Sequence, residues 1–109
     1  MFESELERIK GFTLYFLEIK ADQGTFHKIG ITGRTIEQRL EEVKKDIKKL
    51  FGVSQTIVIG TIRECPFLEL FFKHKYRRYQ LDLKTHTEYF KLPQSQLNEI
   101  KECFSRLEV

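Results

Sequence analysis

Four polar side chains of different chemistry interrupt or border the apolar stretches of this sequence: Tyr15, Lys28, Arg39 and Glu88. A guanidinium binds phosphate or carboxylate oxygens through its planar fork, a carboxylate holds a hard divalent cation, and a phenol or an amine exchanges protons. Each residue alone also has an ordinary explanation: a packed lysine stem, a core tyrosine, a surface arginine or a solvent-facing glutamate. Their significance therefore depends on whether the fold brings them together.

The first two residues are predicted to lie on a β-hairpin. Residues 12–19 are apolar at nearly every position, which is typical of a strand covered on both faces. Asp22-Gln23-Gly24 supplies turn chemistry, and residues 25–32 resemble a second strand. This hairpin would bring Tyr15 near Lys28.

Arg39 is predicted to lie on a helix. Thr35 and Gln38 match a capping box, and Gly52 is a suitable stop. Arg39 would lie at the edge of an apolar stripe with helical spacing, which consists of Ile36, Leu40, Val43, Ile47 and Leu50. The β-branched run 56–62 that follows predicts a third, central strand.

The second half of the chain predicts two more helices separated by a short extended piece at 87–90. Pro66 suits the first turn of one helix and Pro93 the first turn of the other. The first helix would pack through Leu68, Phe71, Phe72, Lys75, Tyr76 and Tyr79, and the last through Leu97, Ile100, Phe104 and Leu107. We therefore expect an α+β fold, an α/β sandwich in which a small, three-stranded, mostly antiparallel sheet is flanked by helices.

Length and composition favour one domain over residues 1–109, in which residues 1–10 form a short helical extension through Phe2, Leu6 and Ile9. The 40% hydrophobic and 13% aromatic content excludes the disordered class. No long apolar run or signal-peptide pattern is present, so we expect a cytoplasmic protein with no membrane partner. Cys65 and Cys103 lack zinc-ligand spacing, which predicts reduced thiols.

Together, the motifs over residues 13–92 resemble the GIY-YIG nuclease superfamily, and in particular its phage-type branch with KIG in place of YIG. Thr13-Leu14-Tyr15 stands at the GIY element, and Lys28-Ile29-Gly30 stands at the YIG element. Arg39 follows Lys28 by eleven residues, as the family's arginine does. Leu68-Glu69 and Thr87-Glu88-Tyr89-Phe90 resemble the family's later Leu-Glu and Glu-aromatic-Phe elements.

This resemblance implies hydrolysis of DNA phosphodiester bonds with one divalent cation, Mg²⁺ or Mn²⁺, held by Glu88. Arg39 would hold the phosphate, Tyr15 would orient or deprotonate the attacking water, and Lys28 would assist that step or add positive charge. His74 is the fifth candidate, although Lys73 occupies the position at which the family's histidine usually falls. A shift of one residue rotates a helical side chain by about 100°.

Positions 73–91 contain six basic residues and only two acidic ones, within a chain of net charge +3. The predicted nucleic-acid contacts are Lys73, Lys75, Arg77, Arg78 and Lys84. Such contacts give affinity for phosphate without sequence information. The sequence therefore predicts a phage- or mobile-element-associated endonuclease of low intrinsic specificity, targeted by homodimerisation or by a protein partner. A catalytically degenerate nucleic-acid-binding module and a protein-interaction or inhibitor domain are the alternatives.

Overall fold

The computed structural model describes residues 12–63, 66–83 and 86–107, so the predicted helix over residues 1–10 lies outside these ranges. In chain order the elements are β1 (Thr13–Ala21), β2 (Gly24–Thr32), α1 (Ile36–Phe51), β3 (Ser54–Arg63), α2 (Pro66–Lys75), a 3-10 helix (Arg77–Tyr79), β4 (Tyr89–Phe90) and α3 (Gln94–Leu107). None of the described helices is long and apolar enough to span a bilayer.

The strands form one antiparallel sheet in the order β3-β1-β2-β4, which confirms the predicted α+β class. The sheet has four strands rather than three, because the short extended piece pairs with His27 and Lys28 as β4. The β1–β2 hairpin turns at Gly24, whose φ of 136° favours glycine.

The prediction that the third strand is central was wrong. β3 lies at the edge of the sheet, and β1 is flanked on both sides. The burial pattern gives the physical reason: six consecutive residues of β1 are buried, whereas β3 buries only Gly60 and Ile62. β-Branched residues favour a strand but do not specify which neighbours it has.

Side-chain alternation along the sheet divides the core into two layers. On one face, Phe16 and Ile29 pack against Phe72 of α2 and Phe104 of α3. On the other face, Tyr15, Leu17 and Ile19 pack against α1. Each fully buried side chain of this kind stabilises the fold by about 2 kcal/mol. The sheet is thus sandwiched between helices, as predicted.

The predicted ends of α1 are confirmed. Thr35 Oγ1 accepts a hydrogen bond from the backbone N–H of Gln38 at 3.3 Å. At the other end, Gly52 has a φ of 76°, and its N–H donates to the carbonyl of Lys48 at 2.9 Å. These caps fix where Arg39 lies relative to the sheet.

Three predicted packing residues, Phe71, Lys75 and Leu107, are exposed instead. The buried face of α2 is narrow and carries Phe72 and, four residues later, Tyr76. Phe71 lies outside this face and is exposed. Leu107 lies in the last turn of α3 and is also exposed. Cys103 is a free, half-buried thiol, and Cys65 lies outside the described ranges.

Candidate active site

Lys28 and Glu88 form an ion pair at the edge of the sheet. Lys28 lies in the middle of β2, where its side chain is buried, and its Nζ donates to Glu88 Oε2 at 2.5 Å. Glu88 directly precedes β4, and its backbone carbonyl accepts a hydrogen bond from the N–H of Ile29 at 3.0 Å. The sheet therefore holds Glu88 through its backbone, independently of its carboxylate.

The Lys28 ammonium is held in place by several groups. Its Nζ lies 4.4 Å from the centroid of the Tyr89 ring, a favourable cation–π distance. Burial lowers the pKa of Lys28, and the charge and hydrogen bond of Glu88 oppose that effect. The nearby charges of Arg39 and Lys73 lower the pKa further. Glu88 is thus the group that favours a charged amine at this buried position.

The Tyr15 hydroxyl lies beside this ion pair because residue 30 has no side chain. Tyr15 pairs with Gly30 across the hairpin. A Cβ at Gly30 would lie 2.6 Å from the Tyr15 hydroxyl and 3.0 Å from Glu88 Oε2. The hydroxyl is buried and makes no hydrogen bond within the described part of the chain. Burial, followed by the negative charge of Glu88, raises the pKa of Tyr15 to about 12, against the opposing charge of Arg39.

Arg39 reaches the same region from α1. Its Nη1 donates to Glu42 Oε2 at 3.0 Å, and Arg34 binds the same carboxylate. A cleft of about 230 Å³ lies between α1 and β4. Its lining includes Lys28, Arg39, Asp46, His86, Glu88 and Tyr89. The structure therefore brings three of the predicted catalytic residues to one cleft and places the Tyr15 hydroxyl next to its carboxylate.

Lys73 approaches the carboxylate from α2. Its Nζ lies 3.4 Å from Glu69 Oε2, one helical turn earlier, and 4.0 Å from Glu88 Oε1. Both oxygens of Glu88 thus have an ammonium group nearby, Lys28 on Oε2 and Lys73 on Oε1. The cleft lining combines two carboxylates, Asp46 and Glu88, with the cations Lys28 and Arg39, and Lys73 adds a third positive charge beside Glu88.

The structure does not bring His74 to this cluster. His74 is exposed, and Arg77 Nη1 contacts both its ring Nε2 at 3.2 Å and its carbonyl oxygen at 2.8 Å. The rotation of one helical position explains this placement, since Lys73 takes the direction that faces Glu88.

The predicted nucleic-acid contacts lie in different surroundings. Arg77 and Arg78 are exposed in the 3-10 helix, and Lys75 forms an ion pair with Glu99 of α3. Arg77 also lines a second cavity of about 290 Å³, which shares His86 with the first cleft. Lys84 lies outside the described ranges.

Sequence reasoning missed two residues that line the cleft, Asp46 and His86. Asp46 follows Arg39 by seven residues on α1, a spacing of two helical turns that places both on one face. His86 precedes Glu88 by two residues, and both side chains line the cleft. Over residues 12–63, 66–83 and 86–107, no three His, Cys, Asp or Glu side chains group as a metal site.

The sheet, its covering helices and this cleft define a small α+β domain with basic side chains around the Glu88 carboxylate. The model of the T5orf172 domain matches residues 13–108, and the chain belongs to this family. The family is GIY-YIG-like and nuclease-associated, which assigns the chain to the phage-type modules that are nuclease-like or bind DNA. No curated protein and no solved structure matches the chain.

Proposed function

We propose that the domain is a GIY-YIG-type endonuclease, with KIG in place of YIG, that hydrolyses DNA phosphodiester bonds with low intrinsic sequence specificity. The observation that supports it most is the meeting of Lys28, Arg39 and Glu88 in one cleft, with the Tyr15 hydroxyl beside the carboxylate. These four groups come from four separate segments of the chain. The buried Tyr15 hydroxyl can approach Glu88 only because Gly30 has no side chain. The arrangement therefore depends on the interior of the fold as well as on surface side chains.

Phosphate binding is the first step that the cleft supports. Arg39 is partly exposed there, and its planar guanidinium matches two non-bridging phosphate oxygens. Lys73 adds a second accessible positive charge within 4.0 Å of Glu88. Glu42 holds Arg39 in position, and Glu69 holds Lys73. An entering phosphate would compete with these two carboxylates for the cations.

The raised pKa of Tyr15 supports an orienting role for its hydroxyl. With a pKa raised to about 12, the phenol keeps its proton at neutral pH. In the free enzyme Tyr15 therefore orients the attacking water through a hydrogen bond rather than removing its proton. Lys28 stabilises the negative charge that develops on the phosphate, because its ammonium lies within the same cleft.

A divalent cation fits the donor set of the cleft. Magnesium is commonly held by one or two carboxylates, with waters and substrate phosphates completing its shell. Glu88 Oε1 is the oxygen that does not accept the Lys28 hydrogen bond, and Lys73 Nζ lies 4.0 Å from it. Mg²⁺ or Mn²⁺, when bound, would neutralise charge on the scissile phosphate. Glu88 would hold the cation, and Lys28 would orient Glu88 through Oε2.

Cleavage of supercoiled plasmid DNA tests the proposal. We expect nicked and linear products with Mg²⁺ or Mn²⁺, none with EDTA, and a loss of at least about 100-fold in rate for Glu88→Gln. The matched control is Glu102→Gln, because Glu102 is an exposed carboxylate of α3 that pairs with Arg106. Absence of cleavage by the unaltered, folded protein with either cation would overturn the proposal, as would full activity of Glu88→Gln.

A second candidate, a DNA-binding module without hydrolysis, is favoured by the two ammonium groups that already approach the Glu88 carboxylate. Such a module would bind DNA equally well with EDTA and with Mg²⁺, and calorimetry would detect no cation that depends on Glu88. Binding without cleavage, unaffected by Glu88→Gln, would support this second candidate over the first.

A further inference from the structure

A groove of about 450 Å³ lies between the end of α1 and the beginning of β3. Lys44 and Lys48 line it from α1, and Ser54, Gln55 and Thr56 line it from β3. The two lysines are exposed and are four residues apart, so they are neighbours on the same flank of the helix. We call this cavity the α1–β3 groove.

The groove lies on the opposite flank of α1 from the candidate active site. Arg39 lines the active-site cleft. At about 100° per residue, Lys44 is about 140° and Lys48 about 180° around the helix axis from Arg39. β3 and β4 are also at opposite edges of the sheet. The α1–β3 groove is therefore a separate surface that the candidate active site does not use.

The charge in this groove has one sign. Four exposed lysines occupy the second half of α1, namely Lys44, Lys45, Lys48 and Lys49. None of them forms an ion pair with any other part of the chain that the structure describes. The described lining of the groove has no carboxylate, whereas Glu88 lines the active-site cleft and Asp82 lines the cavity beside Arg77. Cations of one sign along a concave surface attract anions.

The neutral groups of the groove also suit a phosphate. Ser54 and Thr56 carry hydroxyl groups and Gln55 carries an amide, and such side chains commonly donate hydrogen bonds to the DNA backbone. Gly52 lines the groove as well, and a Cβ added there would meet nothing within 4 Å. The groove is thus open beside the lysines, which leaves room for a polymer to pass.

We propose that the α1–β3 groove binds backbone phosphates of DNA, in addition to the phosphate that enters the active-site cleft. Lys48 follows Arg39 by nine residues, which is about 14 Å along the helix axis. Each DNA strand presents a phosphate about every 3.4 Å along the duplex axis, so one short duplex is long enough to reach both sites. The inference rests on the DNA binding in the proposed function and does not require cleavage.

Fluorescence anisotropy with a short duplex tests this second contact, in EDTA and at several salt concentrations. We expect Lys44→Ala combined with Lys48→Ala to lower affinity at least about tenfold at physiological salt, and to reduce the dependence of log Kd on log salt by about two units. Thermal melting checks that each variant is folded.

The matched control combines Lys45→Ala with Lys49→Ala. This pair removes the same two charges from the same turns of α1, and neither residue is in the described lining of the groove. Each pair also contains one residue of the last turn, Lys48 or Lys49, so the helix dipole is affected equally. We expect the control pair to change affinity by less than about threefold, because it loses only long-range attraction.

Equal losses of affinity for the two alanine pairs would overturn the proposal in favour of diffuse attraction, and no loss for either pair would also overturn it. Loss of binding to phosphatidylserine vesicles by the Lys44→Ala, Lys48→Ala chain, with DNA affinity retained, would assign the groove to a membrane instead. A chain that binds DNA through the groove but never cuts it would overturn the endonuclease proposal and leave this one standing. Unchanged DNA binding by a Lys44→Ala, Lys48→Ala chain that still cuts would overturn this proposal alone.

Discussion

The ammonium of Lys28 and the carboxylate of Glu88 meet at 2.5 Å, but the two partners differ in exposure: 5% of the Lys28 side chain is accessible and 30% of the Glu88 side chain. The cost of losing one partner therefore depends on which group is left behind. A buried charge without a partner is expensive, whereas a partly exposed carboxylate keeps water and Lys73 as neighbours.

The first prediction concerns stability. Glu88→Gln leaves the buried Lys28 ammonium against a neutral amide, and we expect it to lower the free energy of unfolding by about 1–3 kcal/mol. Lys28→Met should cost less, because it removes the buried charge itself. Urea denaturation of both variants at pH 7 measures the difference. A larger loss for Lys28→Met would contradict this explanation of the pair.

The second prediction concerns Gly30. A methyl group at this position would overlap the Tyr15 hydroxyl, which lies 2.6 Å from the Cβ position. Because the Tyr15 ring is fully buried, it cannot move without repacking, and we expect Gly30→Ala to cost about 1–3 kcal/mol and to abolish cleavage.

Gly33→Ala is the matched control for Gly30→Ala. Its Cβ would meet only the ring edge of half-buried Phe12, at 3.1 Å. We expect a smaller loss of stability in the same denaturation experiment and retained cleavage. If both alanine variants lost the same stability and the same cleavage activity, the close approach of Tyr15 to Glu88 would not be needed for either property.

The third prediction concerns pH. His27 is buried on the face of the sheet that carries Phe16, with its Nε2 3.9 Å from Glu18, and burial lowers its pKa from 6.5 to about 4. Between these pH values the unfolded chain binds a proton that the folded chain does not. Stability is therefore expected to fall by up to about 3 kcal/mol as the pH drops from 6.5 to 4.

Chemical denaturation at several pH values measures this dependence. His27→Gln should remove it, and His74→Gln should not, because His74 is exposed. The quantity compared is the difference in the pH dependence of stability between each variant and the unaltered chain. The same pH slope for His27→Gln would show that His27 does not titrate as its burial predicts.

The fourth prediction concerns DNA affinity. If Lys73 contacts a phosphate, Lys73→Ala should lower affinity and reduce the dependence of log Kd on log salt by about one unit. Lys20→Ala is the control, since Lys20 lies near the hairpin end of β1 and is mostly exposed. Fluorescence anisotropy at several salt concentrations measures both. An unchanged slope for Lys73→Ala would remove Lys73 from the phosphate contacts.

Local sequence patterns predicted most of the helices and strands but not which strands lie next to each other in the sheet. The hairpin and α1 were predictable because strand and helix periods and the caps at Thr35 and Gly52 are local signals. The edge position of β3 was not, since it depends on which faces the helices cover. The 3-10 helix at Arg77–Tyr79 and the short β4 have too few residues to show a period.

The sequence predicts the site residues that belong to a motif. It does not predict the residues that reach the site through the packing of a helix on the sheet. Tyr15, Lys28, Arg39 and Glu88 follow from the resemblance, and the structure places them together. The link from Glu69 through Lys73 to Glu88 depends on how α2 lies against the sheet, which no spacing in the sequence reveals. Their catalytic roles stay predictions until cleavage is measured.

Backbone hydrogen bonds clamp both ends of the segment that leads to Glu88. The N–H of Leu81 donates to Tyr89, the N–H of Lys91 donates to Tyr79, and Ile29 holds the Glu88 carbonyl. Leu81 and the strand that follows Glu88 are therefore tied to each other and to β2 through the backbone. Side-chain substitutions at His86 or Thr87 should therefore change the lining of the cleft while leaving these backbone anchors in place.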